Sequence, residues 1–253
     1  MTDLSLVVTA RDVNGRMTDA VHRWIGDLRR IFGPVGVLAT SDTVTETLEP
    51  FGELVRKETE PPGVIGRSRH RAVELAVAIG ASHTLIGELD RMLHWAHAFE
   101  DELASMRSVI DAWDLTVLGR TERAFATHPE MQTVREGIVN DVWSRVTGDA
   151  WDVMVGVRGM SLAVAQALVD RGPVVDGVET DVIWPLWAKR EGFSVGYVAT
   201  EGLEFETADR FGPEVEVAGG PEAWQRTLDA DPSRWARRLE FARRSVEAIA
   251  RYE

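Results

Sequence analysis

Ser82-His83-Thr84-Leu85-Ile86-Gly87 runs directly into Glu88-Leu89-Asp90, and this junction decides the fold. The six residues before the acids read as a short apolar strand. Upstream, Ser68 to Ile79 carries Ala72, Val73, Leu75, Ala76 and Ile79 as one apolar stripe, with Gly80 as its stop. A helix therefore delivers the chain to a strand that ends on two carboxylates. In open α/β sheets, ligands gather beyond the carboxyl ends of the strands, so acids at this point are well placed for function.

Toward the N-terminus, Leu4–Ala10 and Val35–Thr40 read as strands around an amphipathic helix over Thr18–Phe32. Thr45–Phe51 reads as a short helix and Glu53–Val55 as a third strand, before Pro61-Pro62-Gly63 breaks the chain. Strand, helix, strand, helix, strand favours a parallel sheet with helices on its faces. Toward the C-terminus, helices are expected over Met92–Met106, Thr127–Trp143, Leu162–Val169 and Thr180–Arg190, and strands over Asp114–Leu118, Trp151–Val157 and Ser194–Thr200. Pro and Gly mark a change after Phe211, and a charged amphipathic helix spans Trp235–Tyr252.

The composition narrows the function. At 253 residues and 44% apolar, the chain can bury a sizeable core, as one large domain or a domain with an appendage. It holds no cysteine, which excludes disulfides, thiolate catalysis and Cys-ligated zinc. A net charge of −13 argues against a nucleic-acid partner, though local arginines can still receive a small phosphate ligand. No apolar run reaches the roughly 18–20 residues that span a bilayer, and the acidic start Met1–Ser5 does not read as a signal peptide. A cytoplasmic protein is the simple reading.

In an extended segment, residues i and i+2 point to one side. Glu88 and Asp90 there would make a hard-oxygen site for Mg²⁺ or Mn²⁺, completed by diphosphate oxygens. The plain alternative is a solvated strand-to-helix junction with one acid as helix cap. Arg67, Arg69 and Arg71 lie just upstream; a guanidinium suits bidentate phosphate binding, a role for Arg69, while Arg67 and Arg71 read as surface charges.

The run Gly63-Val64-Ile65-Gly66-Arg67-Ser68-Arg69-His70, the helix, the apolar strand and Glu88-Leu89-Asp90 together resemble the nucleotide-binding half of GT-A glycosyltransferases, family 2-like. Ser68-Arg69-His70 stands at that family's Ala-Arg-Asn and Glu88-Leu89-Asp90 at its D-x-D, with Glu replacing the first Asp and His replacing Asn. Glu179-Thr180-Asp181, eleven residues before Gly192-Phe193, resembles its Glu-Asp segment and puts Asp181 at the catalytic aspartate. Val7–Asp12 and Ser41-Asp42 resemble the two strand ends that meet the nucleoside, and Gly156–Ser161 the turn beside donor sugar and acceptor.

The resemblance covers roughly four-fifths of the chain, from Val7 to Thr207. It implies an α/β GT-A (nucleotide-diphospho-sugar transferase) fold over 1–210, with a mostly parallel central sheet flanked by helices. Residues 211–253 would form a C-terminal helical extension packed on it. It implies a hexosyltransferase-like enzyme taking a nucleoside-diphosphate sugar donor and a hydroxyl-bearing small-molecule or glycan acceptor. Thr9, Arg11, Asp42, Arg69, Glu88, Asp90 and Gly159 would bind the nucleotide sugar, Glu88 and Asp90 the Mg²⁺ or Mn²⁺, and Asp181 would act as base in an inverting reaction. Arg91, His94 and Trp95 would shape the sugar pocket, and Glu204 or Asp209 would replace a third metal ligand. A sugar-phosphate nucleotidyltransferase would carry G-x-G-T-R-x-x-P-x-T near the first strand, a pattern Arg11–Gly15 lacks. A non-catalytic nucleotide-sugar binding protein of the same fold is the other alternative.

Overall fold

The computed structural model describes residues 3–58 and 64–252. Pro61-Pro62-Gly63, read as a chain break, lies outside the described residues. The chain begins β1 (Leu4–Ala10), α1 (Thr18–Phe32), β2 (Val35–Ala39), α2 (Thr45–Leu48) and β3 (Val55–Lys57). It continues through α3 (Ile65–Ile79), β4 (His83–Glu88), α4 (Leu89–Ala98), α5 (Glu100–Ile110), β5 (Leu115–Arg120), α6 (Glu122–Ala126) and α7 (Glu130–Thr147). Then come β6 (Val157–Ser161), α8 (Leu162–Arg171), α9 (Thr180–Arg190) and β7 (Val195–Thr200). The C-terminal part is α10 (Thr207–Arg210), α11 (Gly212–Ala218), α12 (Pro221–Asp229) and α13 (Pro232–Tyr252).

The strands form one sheet in the order β3-β2-β1-β4-β6-β5-β7. Only β6 runs against its neighbours, pairing antiparallel with β4 and β5. This is the mostly parallel sheet flanked by helices that the GT-A resemblance implies. Strand periodicity divides the core. Leu6 and Val8 of β1 face one cluster with α1, α4 and α5, while Val7 faces the other with α3, α7, α8, α9 and α13. Burial on both faces explains why these strands read as continuous apolar runs. Between the faces, Ser5 Oγ and Thr84 Oγ1 satisfy each other at 2.7 Å across β1 and β4.

Three expectations change. The third strand, expected over Glu53–Val55, is displaced to Val55–Lys57, because Glu53 and Leu54 close a 3-10 turn over Glu49–Leu54. The expected helix over Met92–Met106 is two helices, parted at Phe99 (φ −141°, ψ 48°). Phe99 N closes α4 on Trp95 O and Phe99 O opens α5 by accepting from Leu103 N, while Glu100, Asp101 and Glu102 favour the positive end of the new helix. The expected strand over Trp151–Val157 is displaced to β6. Asp152 is instead drawn to Arg120 and Asn140, and Val153 N bonds Asn140 Oδ1, so side chains take the hydrogen bonds a strand ladder would use. Gly156 (φ +80°) then turns the chain into β6.

β1 and β4 are the point where the chain reverses its direction of travel across the sheet, since β2 and β3 lie on one side and β6, β5 and β7 on the other. The exits of β1 and β4 therefore splay apart and leave a crevice. α13 packs on α7 and α9, where Arg244 Nε reaches Glu179 Oε1 at 2.6 Å. Among the described residues, no helix is long and apolar enough to cross a membrane.

Candidate functional site

Two adjoining cavities open at this crevice. The first, of about 230 Å³, is lined by Thr9, Arg11, Thr40, Glu58, Ser68 and Met17 among others. The second, of about 240 Å³, is lined by Arg91, His128, Arg135, Asp181, Glu206 and Arg238 among others. Arg69, Glu88, Asp90 and Arg210 line both.

Arg69 lies at the centre. It projects from the second turn of α3, whose start is fixed by Gly66 N bonding Asp176 O at 3.0 Å. Its Nη1 donates to Asp181 Oδ1 at 2.8 Å and Thr180 Oγ1 at 2.9 Å, and its Nη2 to Glu88 Oε1 at 3.3 Å. Gly156 makes room for it, because a Cβ there would stand 2.1 Å from Arg69 Nη2. Arg158, fully buried in β6, donates to the backbone oxygens of Val153 and Asp181 and so holds the start of α9 from below.

Glu88 ends β4, and Leu89 already opens α4. Glu88 and Asp90 are thus not two alternate positions of one extended segment, as the sequence reading has them. Burial pushes the Glu88 carboxyl up, but Arg91 and Arg69 outweigh it and hold it at about 2. Asp181 behaves oppositely: burial raises it against the pull of Arg69 and Arg158. Glu206 is raised by burial too, with Arg91 opposing.

Carboxylate oxygens suit Mg²⁺ or Mn²⁺ in kind. Here all four are engaged. Glu88 Oε2 accepts from Arg91 Nε at 2.9 Å, Asp90 Oδ2 from Arg210 Nη1 at 2.7 Å, and Asp90 Oδ1 from Arg91 N at 3.1 Å. Among the described residues, no group of three or more His, Cys, Asp or Glu side chains is disposed to hold a metal ion. As they stand, the two acids do not fit a divalent cation.

Of the other expected site residues, Thr9 and Arg11 line the first cavity. Asp42 stands outside its wall, bound to Arg11 Nη2 at 2.8 Å, and Arg11 lowers its carboxyl below the usual range. Gly159 is not brought to either cavity. It sits mid-β6 between Leu85 and Thr116, against Ile110, and the glycine at the site is Gly156. Trp95 is fully buried, with Nε1 donating to Glu102 at 2.8 Å, so it packs rather than contacts ligand. His94 bonds Asp209 at 2.7 Å and Glu204 at 3.3 Å, an arrangement that pins α10 to α4.

Sequence reasoning missed Arg135, Arg210 and Arg238. The signal was position: Arg135 follows Met131 and precedes Val139, and Arg238 shares a stripe with Ala242, Ser245 and Ile249, all buried. Arg210 gives no such signal, and reaches Asp90 and the backbone oxygen of Arg11 only through tertiary folding.

No family model matches this chain. No curated protein matches it either. Among solved structures it is similar to glucosyl-3-phosphoglycerate synthase from Mycobacterium tuberculosis in complex with Mn²⁺, UDP-glucose and phosphoglyceric acid, at 12% identity over 78% of this chain and 69% of that one, with a TM-score of 0.48. It is also similar to a mannosyltransferase from Pyrobaculum calidifontis in complex with GDP-Man and Mn²⁺, at 11% identity over 99% of this chain and 74% of that one, with a TM-score of 0.44.

Proposed function

We propose that this chain is a hexosyltransferase-like glycosyltransferase that moves a sugar from a nucleoside-diphosphate donor to a hydroxyl acceptor. The observation that carries this reading is the pair of adjoining cavities at the sheet's carboxyl edge, joined through Arg69, Glu88, Asp90 and Arg210. The nucleoside lies along Thr9 and Arg11, with Asp42 orienting Arg11. The diphosphate lies between Arg69 and Arg210, whose planar forks match phosphate oxygens and spread the charge that develops on the leaving diphosphate.

The acceptor enters the second cavity, where Asp181 is the base. Its burial raises the carboxyl toward the range in which it takes a proton effectively. In an inverting transfer it accepts the hydroxyl proton as the acceptor oxygen bonds the sugar and the sugar–diphosphate bond breaks, leaving a nucleoside diphosphate. A divalent cation, Mg²⁺ or Mn²⁺, belongs to the proposal only if ligand binding draws Glu88 and Asp90 away from Arg91 and Arg210. No step here runs through it.

One observation favours a second reading, a nucleotide-sugar binding protein without turnover: Glu88, Asp90 and Asp181 are each ion-paired to arginine. Calorimetric titration with UDP-, GDP- and ADP-sugars, with and without Mn²⁺, followed by a donor-turnover assay with an acceptor screen, separates the two. Binding with transfer that is lost in Asp181→Asn is expected. Tight binding without transfer or hydrolysis supports the second reading. If no nucleotide sugar binds, and Glu88→Ala with Asp90→Ala changes no ligand response, both readings fail.

A further inference from the structure

The wall of the second cavity formed by α7 and α13 carries cationic donors that have no hydrogen-bond partner among the described residues. Arg135, on α7, is 3% exposed, yet its Nε and Nη1 have no hydrogen-bond partner. Among the described residues its one carboxylate contact is with Glu136, and Glu136 is shared with Arg120. Arg238, on α13, is half-buried, its Nε is also without a partner, and among the described residues no carboxylate forms an ion pair with it. Arg91 adds a third unpartnered donor, Nη1, from α4. His128, whose Nδ1 donates to Ala124 O at 3.1 Å, is held well below its ordinary pKa by burial and the nearby Arg120 and Arg91, so its Nε2 is an acceptor and does not belong to this donor set.

By formal count the cavity is balanced, with Arg69, Arg91, Arg135, Arg210 and Arg238 facing Glu88, Asp90, Glu136, Asp181 and Glu206. The distribution is not balanced. Glu88, Asp90 and Asp181 are engaged by Arg69, Arg91 and Arg210 at one end, where Glu206 Oε1 also stands 3.8 Å from Arg91 Nε. At the other end Glu136 alone answers Arg135 and Arg238, and it also serves Arg120. Burial and the neighbouring Arg135 push Arg238 down to about 10, the direction expected of a cation lacking its counter-charge. Buried donors without partners are costly, so a set converging on one cavity marks the place of a missing acceptor.

We propose that Arg135 and Arg238, with Arg91, form a subsite for the anionic group of the acceptor, a phosphate monoester or a carboxylate. The substrate class is then a small hydroxy acid or a phosphorylated alcohol, anchored by its charge and presenting its hydroxyl toward Asp181 in the same cavity. This rests on the transferase reading for the word acceptor. The anion subsite itself does not, since Arg135 and Arg238 lie outside the first cavity.

The test titrates inorganic phosphate, glycerol 3-phosphate, lactate and glycerol into the full chain by calorimetry, alone and with saturating UDP or GDP. Phosphate is expected to bind with or without the nucleotide, and glycerol 3-phosphate or lactate more tightly than glycerol, the tighter of the two identifying the anion. Arg238→Gln is expected to weaken anion binding about tenfold or more, as the loss of a charge-assisted hydrogen bond does, and to leave nucleotide affinity unchanged. Arg135→Gln is expected to act likewise. Should its burial prevent folding, Arg238→Gln, at a half-exposed position, decides alone. The proposal is overturned if nucleoside diphosphate displaces phosphate, if Arg238→Gln leaves phosphate affinity unchanged, or if glycerol binds as well as its charged counterparts. If no nucleotide binds while the arginine-dependent anion binding persists, the anion subsite stands and the transferase reading falls.

Discussion

Replacing Gly156 with alanine tests whether Arg69 is held where the site needs it. The new Cβ would stand 2.1 Å from Arg69 Nη2 and 2.9 Å from Cζ, far inside contact distance. Two costs follow. The backbone at φ +80° penalises any L side chain by about 1–2 kcal/mol. The guanidinium must also leave its seat between Asp181 and Glu88, and breaking a buried pair of this kind costs about 3–5 kcal/mol. Together these approach the whole stability of an ordinary domain, about 5–15 kcal/mol. In an Arg69→Met background the second cost is absent, so Gly156→Ala should cost only its backbone share of about 1–2 kcal/mol. Urea unfolding of the four proteins gives the coupling, expected at about 3 kcal/mol or more. If Gly156→Ala costs the same in both backgrounds, Gly156 is not what seats Arg69.

Glu88, held at about 2 against an ordinary 4.5, contributes stability that is present above 4.5 and lost as pH falls through about 2; Glu88→Gln should flatten that part of the acid unfolding curve. Arg120→Met should lower unfolding free energy by about 3–5 kcal/mol in urea, because Arg120 is fully buried and its loss leaves the Asp152 carboxylate without its cation and Glu136 with Arg135 alone. Burial lowers His94, but its bond to Asp209 and the nearby Glu204 outweigh this and raise it above 6.5. Its hold on α10 is therefore complete below 6.5 and lost as pH rises through the raised value. Corrected amide-exchange protection in Thr207–Arg210 should fall over that interval, and should not do so in His94→Gln.

Apolar runs made most of the sheet legible. β1, β2 and β4 are continuous because both faces are buried, and α1 declares itself through Val21, Ile25, Leu28 and Ile31 on one side. The misreadings share a cause. Trp151–Val157 is as apolar as a strand, but its burial comes from ring packing, with Trp151 stacked on Tyr197 at 5.5 Å, and from side chains that take over its backbone groups. Val157–Ser161 is a true strand that contains an arginine and a glycine, which are tolerable there only because Arg158 bonds carbonyls at both ends of its reach and Gly159 admits Ile110. Neither arrangement exists until distant segments meet, so local pattern cannot report it. The same holds for Phe99, which parts two helices without any glycine or proline to announce it.

Glu88, Asp90 and Asp181 were legible together with Arg69 and Arg91 that pair with them, while Arg210 and the arginines of the far wall were not. Glu88, Asp90 and Asp181 fall at strand ends and a helix start, where a carboxylate attracts notice. Arginines on amphipathic helices read as a solvated face. Yet Arg135 and Arg238 occupy positions that continue the buried stripes of α7 and α13 at spacings of three and four. An arginine on such a stripe must either extend its head to water or find an anion inside, because an unpaired buried charge is too costly to keep. Arg120 solves this with Glu136 and Asp152. Arg135 has a share of Glu136, and Arg238 has no ion-pair partner among the described residues, while both face a cavity next to Asp181. Glu88, Asp90 and Asp181 thus each have an arginine partner, while the cations of the far wall share Glu136. In the proposed function the site's chemistry divides along that line, with a diphosphate between Arg69 and Arg210 and the far wall left for a ligand that brings its own negative charge.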